Sequence, residues 1–278
     1  MANRKFSYSR LGCFTDCKRK YFLKYVEGWS IEKGTQVMSD VTAKGLAIHS
    51  IFENYEPTWD ETRVLAEIAK YEEMYKEGKA YFPLEPKVRK FISFYSEKVF
   101  PHLSTGAVKK ETWLEGEVAG EQFCGAIDLL VEHADGTVDI VDYKSAKTPT
   151  ASNYKGQLLL YVYMYAAMNG IPIDGIEKKV GISVFFPFSA GETHKECLKT
   201  IRYKSEDVLA NVAKIEAELN EIKGADWEKG KDPLEVTLKN TCSWCEFCGH
   251  LDFCPITYKA GLRLPRGVKF IKRGDNIG

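Results

Sequence analysis

"GAIDLLVEHADGTVDIVDYKS", residues 125 to 145, holds two short apolar runs separated by a cluster of turn residues, the pattern of a β-hairpin. In the first run Phe123, Ile127, Leu129 and Val131 alternate with Asp128, which therefore points away from the Phe/Ile/Val face. In the second, Asp142 and Lys144 are two residues apart and project to one side above Val138 and Ile140. Whether Asp128 joins them depends on the loop. A two-residue Asp135-Gly136 turn pairs Asp128 with Tyr143 and throws it onto the opposite face, because a one-residue slip inverts the side-chain set. A three-residue Ala134-Asp135-Gly136 loop, with Gly136 in the left-handed position of a bulge, pairs His133 with Thr137 and sets Asp128 opposite Asp142.

Two facing carboxylates repel, and one has its pKa raised unless a cation sits between them. Hard oxygen ligands of this kind suit Mg2+ or Mn2+, which keep several waters and bind through few carboxylates plus a substrate phosphate. Lys144 would then orient an attacking water or stabilise charge developing at phosphorus. The competing reading is a surface Asp-Lys cross-strand pair of small energetic value. Two neighbouring helices add to the case. Gln157 and Tyr161, four apart on the helix that follows the hairpin, can face back over the same strand ends. His49, on an amphipathic helix with Leu46, Ile48, Ile51, Phe52 and Tyr55, is available as a neutral imidazole ligand.

The first hundred residues read as mostly helical: a helix over about 8 to 25 with Ser7 as N-cap, the helix of His49, and amphipathic segments near 61 to 77 and 86 to 100. "TWLEGEVAG", "QFCGAIDLLVEH" and "GTVDIVDYKS" then read as a strand meander, followed by a helix from Ser152 to Asn169 that ends at Gly170. Further strands are expected in "KKVGISVFFPF" and "CLKTIRYK", and a last amphipathic helix in "SEDVLANVAKIEAELNEIKG".

Composition sets the bounds. The chain has 278 residues, 44% hydrophobic and 28% charged, enough for a substantial core. No apolar stretch approaches the roughly 20 residues of a membrane span, and the N-terminus lacks a secretory apolar run, so a cytoplasmic location is the default. Formal net charge is zero, but residues 1 to 25 carry seven Lys or Arg against Asp16, and residues 255 to 278 carry six against Asp275. Basic ends of this kind suit phosphate binding. Eight cysteines are too few for a disulfide scaffold, yet four fall within "CSWCEFCGHLDFC", from Cys242 to Cys254, which points to a metal or a cluster.

Taken in order, "GLAIH" (45 to 49), "GAIDLL" (125 to 130), "VDYKS" (141 to 145) and "QLLLY" (157 to 161) resemble the motifs of the PD-(D/E)XK nucleases, specifically the RecB-like branch. A D-x-K pair alone is a common pattern; four ordered motifs over residues 45 to 165 are not. The resemblance implies an α/β, restriction-endonuclease-like core, a central mixed sheet flanked by helices, with an N-terminal helical region and a C-terminal cysteine cluster. It implies one nuclease domain over 1–278: a helical part over 1–105, the catalytic core over 106–204, and a helix and cluster segment over 205–278. Asp128, Asp142 and His49 would hold the ion, Lys144 would serve the water or transition state, and Gln157 and Tyr161 would position substrate or Lys144.

"SYSRLGCFTDCKRKYFLKYV" is similar to the segment of the AddB nuclease domain and of CRISPR-associated iron-sulfur nucleases that supplies the first ligand of a [4Fe-4S] cluster, which implies Cys17. The other three ligands would be Cys242, Cys245 and Cys254, in the "CSWCEF" context, or Cys245, Cys248 and Cys254 with a shorter final gap. Such a cluster is a staple across more than 200 residues rather than a catalyst, and structural Zn2+ is the competing occupant of four thiolates. The expected activity is a Mg2+- or Mn2+-dependent deoxyribonuclease, acting on single-stranded DNA or free ends in recombination, repair or phage DNA processing, with a recombination protein as a possible partner. The alternatives are a non-catalytic DNA-end-binding adaptor on the same fold and a CRISPR-adaptation nuclease.

Overall fold

The computed structural model describes residues 5–31, 40–60, 62–67, 69, 85–103, 107–225 and 270–272. Its contacts divide the chain into two compact units, Met1–Val37 with Lys214–Gly278, and Met38–Ala213.

In the first unit, helix α1 (Tyr8–Asp16) is capped by Ser7, whose side chain accepts from Arg10 N. The Arg10 guanidinium is buried, lies 4.1 Å from the Phe6 ring centroid and donates to Tyr21 Oη from Nε (3.2 Å). The expected single helix over 8 to 25 is three pieces: α1, α2 (Lys18–Tyr21) and a π-helical turn over Phe22–Glu27 that ends at Gly28 in the left-handed region. Cys17, at φ −160°, is the break between the first two. Neither Gly nor Pro marks that break in the sequence. Strand β1 (Trp29–Ile31) pairs antiparallel with β7 (Phe270–Lys272), so the far end of the chain returns beside the N-terminal helices.

The second unit is built on a five-stranded mixed sheet in the order β2-β3-β4-β5-β6. Its strands are β2 (Val108–Val118), β3 (Glu121–Glu132), β4 (Val138–Tyr143), β5 (Val180–Phe185) and β6 (Leu198–Thr200). Among the described strands only β4 and β5 run parallel, which requires a crossover, and helix α6 (Lys155–Asn169) supplies it. Helices α3 (Asp40–Asn54) and α4 (Glu85–Lys98) precede the sheet, with the short α5 (Phe100–Leu103) after them; α7 (His194–Cys197) lies between β5 and β6, and α8 (Ser205–Gly224) follows. The Ser152–Asn169 expectation resolves into a 3-10 turn over Ala151–Tyr154 and α6, closed by Gly170 at φ 64°. The reading near 61 to 77 falls largely outside the described residues, with 62–67 helical.

Aromatic side chains hold α3 and α4 on the sheet. Phe52 from α3, Tyr55 just past its end, and Phe91, Phe94 and Tyr95 from α4 form one buried cluster with Leu129, Val131, Val141, Tyr143 and Phe185. Phe52 stacks on Phe91, and Phe94 stacks on Phe185 with centroids 4.7 Å apart. Burying such side chains stabilises by roughly 1.5–3 kcal/mol each, which fixes α3 against β4.

Two turns set the register of the meander. Val118 pairs with Glu121 across Ala119 and Gly120, at φ 51° and 76°, a two-residue turn of the primed kind. The second is the three-residue loop: His133 N donates to Thr137 O (2.9 Å) and Gly136 sits at φ 78°. Ala119 carries a Cβ in a region that disfavours one. Ala119→Asn should therefore raise stability by roughly 0.5–1 kcal/mol, and Gly136→Ala should lower it by about the same or more. Urea unfolding midpoints check both.

Candidate active site

Three acids lie in register across three neighbouring strands. Lys110↔Leu129 and Thr112↔Ile127 bracket Glu111 opposite Asp128. On the other side the pairs Glu132↔Val138 to Leu129↔Val141 run on to place Asp128 opposite Asp142. There the backbone ladder gives way to a side chain: Tyr143 N donates to Asp128 Oδ2 at 2.6 Å. The alternation of β3 is interrupted at this point. Leu129 and Val131 belong to the cluster with α3 and α4, whereas a Cβ on Gly125, four residues earlier and by simple alternation on the same face, would lie 2.7 Å from Tyr161 Cε1 of α6. Glu111, opposite Asp128, absorbs the distortion at φ 46°.

His49 enters from α3. Its Nε2 lies 3.1 Å from Tyr143 O, an acceptor only, so that nitrogen carries the proton. Nδ1 is left bare, 3.5 Å from Asp128 Oδ1. The imidazole is held neutral because burial, and then the Lys144 ammonium, push its pKa below the usual histidine value. A lone pair facing a carboxylate is repulsive unless something positive lies between. One ligand atom each from His49, Glu111 and Asp128 fall within 4.8 Å of one another.

Asp142 is almost fully buried and lies one residue before the end of β4. Its Oδ2 meets Lys144 Nζ at 2.7 Å but makes no aligned hydrogen bond among the described residues. Its Oδ1 accepts a long hydrogen bond from Gln157 Nε2 (3.4 Å). The same amide is 2.9 Å from Tyr161 Oη, whose pKa burial pushes up to about 12, so the phenol stays protonated. Gly125 leaves the space that the Tyr161 ring fills.

The charges are strongly frustrated. Burial, then Asp142, drive Asp128 well above the usual carboxylate range against the pull of Tyr143 N–H and Lys144. Burial raises Asp142 against the pull of Lys144. Burial, then Glu53, then Asp142 raise Glu111. A carboxyl whose folded pKa is raised costs folding free energy progressively as pH rises from its unfolded pKa through its folded one. A divalent cation removes the cost. Three carboxylates, a bare imidazole nitrogen and a buried unaligned Asp142 oxygen are the donor set that a hard cation with mixed oxygen and nitrogen ligands takes, so the residues fit Mg2+ or Mn2+.

The structure thus brings His49, Asp128, Asp142, Lys144, Gln157 and Tyr161 to one place within the second unit. Sequence reasoning missed Glu111. Its signal was the register itself: extending β2 one residue back from Thr112 puts Glu111 level with Asp128. Cys17 is half-buried at the corner between α1 and α2. Cys242, Cys245, Cys248 and Cys254 lie outside the described residues.

A model of the PD-(D/E)XK nuclease superfamily matches residues 5–255. The chain belongs to this superfamily. Its mixed sheet flanked by helices is the restriction-endonuclease-like core of these nucleases. A crystal structure from Eubacterium rectale described as a "Putative exonuclease" is similar over 89% of this chain and 94% of its own, with a TM-score of 0.50 and 14% identity. Another crystal structure, that of SSO0001, covers 77% of this chain and 94% of its own at a TM-score of 0.34 and 14% identity. At such identity the likeness to the first concerns the fold. No curated protein matches the chain in sequence. Among the described residues no helix of this nuclease is long and apolar enough to cross a membrane.

Two measurements probe the site. Mn2+ at 100 times its Kd should stabilise the protein by about 2.7 kcal/mol, and Glu111→Gln should weaken that Mn2+ binding, read by thermal unfolding and calorimetric titration. Gly125→Ala should push the Tyr161 ring aside, and turnover should fall further than the unfolding midpoint shift accounts for.

Proposed function

We propose that this nuclease is a Mg2+- or Mn2+-dependent deoxyribonuclease that degrades DNA from ends or as single strands. The observation that carries the reading is the row Glu111, Asp128 and Asp142, with His49 on one side and Lys144 on the other. Asp128 and Asp142, with His49 and Glu111, would hold the ion, which when bound supplies Lewis-acid polarisation of the phosphate and lowers the pKa of a water. Lys144, held against Asp142, presents its ammonium to the scissile phosphate, where it orients the attacking water and stabilises charge in the transition state. Gln157 ties Asp142 to Tyr161 and keeps the strand end from turning away.

Catalysis is assigned to the core over 106–204 with His49 from the helical part over 1–105. The segment over 205–278 carries the remaining ligands of a [4Fe-4S] cluster that starts at Cys17. The pairing of β7 with β1 supports that reading, because it brings Phe270–Lys272 beside the strand that follows the N-terminal helices.

Purified protein with Mg2+ or Mn2+ should degrade end-labelled DNA, and Asp142→Ala or Lys144→Ala should reduce the rate by roughly 100-fold or more. Salt-sensitive DNA binding without cleavage under any divalent cation would overturn the enzymatic assignment. Absorption in the visible region of anaerobically purified protein separates iron-sulfur from zinc; a colourless protein containing zinc would remove the cluster.

A further inference from the structure

Trp113 is the most exposed large apolar side chain among the described residues, at 56%. A tryptophan left in water forgoes one of the largest gains any side chain makes on burial. Here the ring is also held. Its Nε1 donates to Glu115 Oε1 at 2.7 Å, so the one polar group is satisfied within its own strand and the apolar faces are what remain. Across the ladder stands Ala126, too small to cover an indole.

The position matters as much as the exposure. Trp113 lies on β2 two residues beyond Glu111, about 7 Å along the strand. Leu46, exposed at 52%, lies on α3 three residues before His49. A Cβ on the adjacent Gly45 would be 3.6 Å from Ser145 Oγ, so this turn of α3 borders the Lys144–Ser145 end of the site. Of the five exposed large apolar side chains among the described residues, two therefore flank the acid row, one beside Glu111 and one on the Lys144 side.

We propose that Trp113 stacks on an unpaired nucleobase next to the scissile phosphate, with Leu46 lining the opposite side, so that single-stranded DNA is the preferred substrate. The inference rests on the nuclease reading above. In a duplex each base shows its faces to its neighbours, and only an unpaired or terminal base has one free for an aromatic side chain. Stacking tolerates any base, since all four have a π-face, and each stacked base adds enough to change affinity about tenfold or more. The exposed Glu115 and Glu117 beside Trp113 disfavour a phosphate there, so the base rather than the backbone meets the ring.

The test uses the full chain with Mn2+ and three labelled substrates: a twelve-residue oligothymidylate, a blunt hairpin duplex, and a base-free chain of tetrahydrofuran phosphates. Trp113→Ala should raise KM for the oligothymidylate about tenfold or more beyond its effect on the base-free chain and on the hairpin, and Trp113→Phe should restore most of the loss. Thermal unfolding of both variants checks that the fold persists. Equal KM for oligothymidylate in Trp113→Ala and wild type, or equal losses on all three substrates, would overturn the inference and leave the nuclease reading standing. A wild-type protein that cleaves none of the three overturns both.

Discussion

Like charge packed against like charge governs this molecule. Glu111, Asp128 and Asp142 are brought level by strand register, and burial denies them the water that would separate their fields. Nothing in the hydrophobic core requires these acids, and apolar residues in their place would fold more readily. They make physical sense around a cation, and the neighbouring groups are arranged as if one were present. The His49 lone pair faces Asp128, the Lys144 ammonium holds Asp142, and Gln157 anchors the other Asp142 oxygen.

The rest of the second unit serves to hold that arrangement still. Strand β4 pairs parallel with β5 through Tyr143 and antiparallel with β3 as far as Val141, beyond which Tyr143 N donates to Asp128 Oδ2, so the end that carries Asp142 is fixed from two directions. The parallel pairing demands a crossover helix, and α6 therefore lies where Gln157 reaches back to Asp142 while Tyr161 Oη accepts from the same amide. The stacked phenylalanines of α3 and α4 fix His49 at a carbonyl of β4. Each supporting contact belongs to an element that the fold already requires.

Much of this was legible in the sequence. The Ala134-Asp135-Gly136 loop offered two registers, and only one of them put Asp128 opposite Asp142; Gly136 at a left-handed φ marks the loop as that one. The fold class followed from four motifs in order, and the helix ends followed from Ser7, Gly170 and the Ser205-Glu206-Asp207 start. Glu111 was legible only through the register of the first hairpin. "KKE" before "TWLEGEV" reads as solvated charge, and alternation counted from Thr112 gives no reason to look back, because the strand breaks its own pattern at that residue. The corner at Cys17 was hidden for a similar reason: the apolar spacing of Leu11, Phe14, Tyr21 and Tyr25 continues smoothly through a break in the backbone.

The two hairpin turns have a consequence for how this chain can vary through evolution. Inserting or deleting one residue at Ala119-Gly120 or at 134–136 would shift one strand against the next, invert its faces and pull an acid out of the row. The connections from β4 to α6 and from α6 to β5 carry no such constraint, since a crossover only has to span a distance. Relatives that keep the chemistry should therefore conserve the lengths of these two short reversals more strictly than most of the side chains around them, and accumulate their insertions on the α6 side.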